Sequence, residues 1–151
     1  MKKKLGKKVL FVQDCGTLSD EFFVAIGCSY DEIIIGAKKL GAIKTFFDSM
    51  KDAKENGYEE HEKNDAGGVF FNNESNHVFL MRFKEWSDSW DFWEKLIHET
   101  HHVVQRLEKS KKIHNEDEFQ AYTAEYIFHH IRRKLMGIEP NEGFHFTNKK
   151  K

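Results

Sequence analysis

Within His98-Glu99-Thr100-His101-His102 lie the side chains best suited to holding a metal ion and moving a proton. An α-helix turns about 100° per residue, so histidines four apart stand roughly 40° from one another, one turn above the other, and offer imidazole nitrogens to a single ion. Zinc held by two imidazoles and a third protein ligand keeps its fourth position for water, whose pKa it lowers from about 15.7 to about 7. A carboxylate beside the ion can then take the proton. Glu99, next to the first histidine, is on the side where that water would lie and is the expected general base.

So short a pattern also arises by chance, and its surroundings must support it. Ser87 or Ser89 can cap a helix start, and Asp88 and Asp91 suit the positive end of its dipole. Trp90, Trp93, Leu96, Ile97, Thr100, Val104 and Leu107 then form one broad apolar arc. On this reading His98 and His102 lie just beyond the arc's edge, where a helix packed on a core with one face lines a cleft with the next. The competing reading is a solvated histidine cluster. His101 belongs to the packed side or donates a hydrogen bond behind a ligand, and its place three residues after His98 keeps it as a weaker rival ligand.

A second strong helix is expected over 116–136, after the polar turn Ser110-Lys111-Lys112-Ile113-His114-Asn115. Phe119, Thr123, Tyr126, Ile127, His130 and Ile131 form its buried side, and Glu118, Tyr122, Glu125 and His129 a neighbouring stripe. Two helices joined by a short turn pack antiparallel, which would bring this stripe against His98 and His102. Glu118 and Glu125 are seven residues apart on the same stripe, so spacing alone leaves both open as third ligand, with His114 a weaker rival. Both also have a plain reading as solvated carboxylates, and for Glu125 that reading stands ahead. Tyr122 is either core or a hydrogen-bond donor to a substrate oxyanion, and His129 could serve the same end.

The combination His98-Glu99-x-x-His102, a short turn, then Glu118-x-x-Ala121-Tyr122 resembles the gluzincin-type metallopeptidases, especially the small zincin-like proteins of phage and prophage genomes. The resemblance implies that Glu118, three residues ahead of the small Ala121, is the third zinc ligand. It also implies an α+β zincin-like fold, with a small twisted antiparallel sheet packed on the HExxH helix and a following antiparallel helix. In such a fold an edge strand pairs with an extended peptide, and Val78 to Phe83, the strand nearest the motif in sequence order, is the candidate for that edge. The resemblance spans 68–132, under half the chain. No third histidine is placed as in metzincins, and no helix-turn-helix region accompanies the motif.

The remaining elements must position this helix pair. Val9-Leu10-Phe11-Val12 and Glu21 to Cys28, with its run Phe22-Phe23-Val24-Ala25-Ile26, read as strands joined by the turn chemistry of 15–20, so they are expected to pair antiparallel. Ser29 with Glu32 reads as a capping box opening a helix to Lys39, stopped by Gly41, with a further helix over 42–54. The segment 57–64 is charged and loop-like. Strands at 68–71 and 78–83 flank an Asn-rich turn and form a hairpin feeding directly into the HExxH helix. His61 and His77, isolated on or near these loops, read as surface residues.

With 151 residues, of which 39% are hydrophobic and 14% aromatic, the chain suffices for one compact domain, expected over 1–138. The tail 139–151, with the only proline at Pro140, is expected to be a disordered basic segment. Lys and Arg number 24 against 25 Asp and Glu, so no global field points to nucleic acid or an anionic membrane, and the lysines near both ends read as solvated. Cys15 and Cys28 read as two reduced thiols, and the apolar stretch 9–12 is too short for a signal peptide or a membrane span, which points to the cytoplasm. The expectation is a metallopeptidase with one zinc ion, acting on a peptide or protein substrate with Glu99 as base and Tyr122 assisting. The alternative is a non-catalytic binding protein that keeps the scaffold with a structural or vestigial zinc site.

Overall fold

Five consecutive apolar residues, Phe22 to Ile26, give a strand no solvent face, so both faces of its sheet must be covered. The computed structural model, which describes residues 8–16, 18–56, 67–72, 74–113, 117–137 and 145–147, shows that they are. Strands β1 (Val9–Cys15) and β2 (Leu18–Ile26) are followed by helices α1 (Tyr30–Lys39) and α2 (Lys44–Glu55). Strands β3 (Gly67–Phe71) and β4 (Val78–Phe83) come next, then the long helices α3 (Trp90–Lys111) and α4 (Asp117–Met136) and a short strand β5 (His145–Thr147). The expected disordered tail thus contributes three residues as a strand; its other residues, and those of the 57–64 loop with His61, lie outside the described residues.

The sheet order is β3-β4-β2-β1-β5. The two hairpins are antiparallel as their turn signals require, β1 with β2 and β3 with β4. The expected all-antiparallel sheet is corrected to a mixed one, because β2 runs parallel to β4 and β1 parallel to β5. Parallel neighbours need a long connection, and the excursion through α1 and α2 supplies it. The same topology overturns the assignment of Val78–Phe83 as the edge strand: β4 lies inside, and β3 is the edge beside it.

Alternation along the strands divides the apolar residues into two cores. Val9, Phe11, Phe22, Val24, Ile26, Met81 and Phe83 pack under α3 and α4, while Leu10, Phe23, Ala25, Phe70 and Leu80 pack under α1 and α2. The result is an α+β domain with a helical layer on each face. Gly67 faces the Phe83 ring so closely that an added Cβ would come within 2.5 Å of it, which fixes glycine there. No helix among the described residues is long and apolar enough to cross a membrane.

Candidate metal centre

Helix α3 begins at Ser89, whose hydroxyl accepts from the Phe92 N–H at 3.3 Å, while Trp93 Nε1 donates to Asp88 Oδ1 at 2.9 Å. Its buried face is Phe92, Trp93, Leu96, Thr100, Val103, Val104 and Leu107. This departs from the expected arc, since Phe92 and Val103 are inside while Trp90 and Ile97 are exposed. The centre of the arc turns accordingly, and His98 and His102 face solvent almost opposite the core rather than at its edge, as the exposure of both residues shows.

There the two imidazoles meet. His98 Nε2 and His102 Nε2 are 3.2 Å apart, with ring centroids 4.8 Å apart at 82°. Two zinc–nitrogen bonds of 2.0–2.1 Å at a tetrahedral angle would set the nitrogens about 3.3–3.4 Å apart, close to the separation here. Behind it, Gln105 lies 3.3 Å from His102 Nδ1. With Gln105 Oε1 accepting, the proton sits on Nδ1 and Nε2 keeps its lone pair, the tautomer a ligand needs. Gln105 was absent from the sequence reading, although its place three residues after His102 was the available signal.

Glu99 is half-buried, because it shares a stripe with buried Leu96 and Val103. Burial raises its carboxyl above the usual value, against the opposing pull of His98 and His102. A carboxylate so placed is a better proton acceptor than an exposed one.

Helix α4 packs antiparallel on α3, with Trp93 against Phe128 at 6.4 Å between centroids and Gln120 Nε2 donating to Glu108 at 2.8 Å. Its buried residues are Thr123, Ile127, Ile131 and Leu135. Tyr126 and His130, expected inside, are half-buried and stacked at 4.1 Å, with the Tyr126 hydroxyl bound to Asp14 of β1. Glu118, Tyr122, Glu125 and His129 do share one stripe, but that stripe is exposed. Glu125 lies 4.0 Å from His129. The contact of Gln120 with Glu108 and that of Trp93 with Phe128 together place Glu118 past His102 toward the C-terminal end of α3. Glu125 is closer to level with the histidines. Among the described residues no group of three or more His, Cys, Asp or Glu side chains is gathered for a metal. His101 is exposed, and His114 lies outside the described residues.

His77 is held by Asp20 at 3.5 Å, and Asp20 also meets Lys111 at 2.8 Å, which joins the end of α3 to the start of β2. A cleft of about 570 Å³ beside this group opens on the α1–α2 side, among Phe23, Ile43, Phe46 and Phe79, and takes no lining residue from α3. Compared with known protein families, characterised proteins and solved structures, the chain shows no match.

Proposed function

We propose that α3 carries a zinc site and that the protein hydrolyses peptide bonds with Glu99 as general base. The observation that supports this reading is the 3.2 Å approach of His98 Nε2 to His102 Nε2, with Gln105 behind His102. Zinc bound there would supply Lewis acidity, lowering the pKa of water and polarising a carbonyl. His98 and His102 hold it as neutral imidazoles. Glu99 accepts a proton from the attacking water as its oxygen bonds to the scissile carbon, then delivers that proton to the amine as the C–N bond breaks. Tyr122, whose hydroxyl is exposed on α4, is the donor assigned to the oxyanion.

For the third ligand, Glu118 has the sequence resemblance in its favour and Glu125 the register of the helix pair. Metal content decides between them: purified wild type should hold zinc, His98→Ala should lose it, and one of Glu118→Ala and Glu125→Ala should weaken it. Glu99→Gln should retain zinc and cleave a peptide library at least roughly a hundredfold more slowly; cleavage at the wild-type rate would remove Glu99 as base. The second reading, a scaffold with a non-catalytic metal site, is favoured by the open exposure of both histidines. It predicts zinc uptake with no cleavage in wild type.

A further inference from the structure

The outward face of α3 is patterned beyond its two histidines. Asp91, Lys95, His98, His102, Gln105 and Lys109 recur at alternating steps of four and three residues, the spacing with which one helix meets another along a seam. All are exposed except Lys95, which is partly covered and pairs with Asp91 at 2.7 Å. The seam contains no apolar side chain, so burial of apolar area would not hold a partner on it.

Its charges are arranged about its own midpoint. Thr100 lies midway between His98 and His102; Asp91 is nine residues before it and Lys109 nine after, and Lys95 and Gln105 are five residues to either side. Two such helices laid antiparallel about a two-fold axis at Thr100 therefore set His98 of each copy beside His102 of the other, and Asp91 of each against Lys109 of the other. An isologous contact requires this self-complementarity. Zinc favours four ligands, and each α3 presents two at the right separation.

We propose that a second copy of this chain can displace the third ligand and close the zinc site: two α3 helices pack antiparallel across this seam, and His98 and His102 of both copies ligate one ion. This rests on the reading that the two histidines hold metal, and it adds regulation to that reading. Four imidazoles fill the position that hydrolysis needs for water, so the dimer is the closed resting form and the monomer the open one.

The test is sedimentation velocity with metal analysis on the full chain, stripped with EDTA and then titrated with zinc. A monomer in EDTA should become a dimer holding about one zinc per two chains, and EDTA should reverse it. Lys109→Glu should raise the dimer dissociation constant roughly three- to thirty-fold by setting like charges opposite each other twice, and the exchanged pair Asp91→Lys with Lys109→Asp should restore it. A monomer holding about one zinc per chain would overturn the dimer and leave the metal site standing. Absence of zinc binding would remove both. A dimer that persists in EDTA or in His98→Ala would overturn the bridging metal.

Discussion

The helical layers on the two faces of the sheet treat their polar groups differently. In the α1–α2 layer a helix cap and ion pairs tie polar residues together. The Ser29 hydroxyl accepts from the Glu32 N–H at 3.1 Å, Glu32 accepts from the Ser29 N–H at 2.9 Å, and ion pairs join Lys8 to Glu32 and Lys54 to Asp31. The α3–α4 layer holds His98, His101, His102, His129 and His130, two of them nitrogen to nitrogen, and at its base Trp86 Nε1 and Thr100 Oγ1 are buried without a hydrogen-bond partner among the described residues. One layer ties its polar groups into caps and ion pairs, and the other gathers imidazoles. That gathering of imidazoles is the feature on which the proposed metal site rests.

Substitutions can break this comparison. Leu96→Ala, on the buried face of α3 one turn from Thr100, should cost about 2–5 kcal/mol in denaturant unfolding; a loss below about 1 kcal/mol would mean the layer is not held by that face. Ser29→Ala should cost about 1 kcal/mol by removing the α1 cap. Lys8 and the Ser29 N–H hold the Glu32 carboxyl below its usual value, so its contribution is present above the ordinary carboxylate pKa and fades as pH falls through the lowered one. Glu32→Gln should accordingly flatten the acid limb of a stability–pH curve. Smallest is Thr100→Val, which removes a hydroxyl without a partner at nearly constant shape and should leave unfolding within about 1 kcal/mol of wild type or raise it, with zinc uptake unchanged. A large loss would show that the hydroxyl is engaged in solution.

Much of the fold was legible in the sequence where the signal is local. The Ser29 capping box, the strands at 9–12 and 68–71, the β4 run and the antiparallel helix pair follow from adjacent residues and short turns. The parallel contact of β2 with β4 depends on where a fifty-residue excursion returns, which no local pattern encodes. The outward turn of the histidines was missed for a definable reason: hydrophobicity placed Trp90 and Ile97 inside, whereas Trp90 is 76% exposed and Ile97 45%. Phe92 and Val103 take the inner positions. For the third ligand, a stripe on one helix fixes which residues share a face but not how far the neighbouring helix slides along it.

The edge strand β3 has a consequence for how the molecule meets others of its kind. An unpaired sheet edge invites open-ended stacking of copies. Here β3 is only five residues long, its register with β4 breaks between Phe70 and Phe71, and the Arg106 guanidinium of α3 lies 3.5 Å over the Phe71 ring. A short, interrupted and capped edge discourages fibre growth on that side of the sheet.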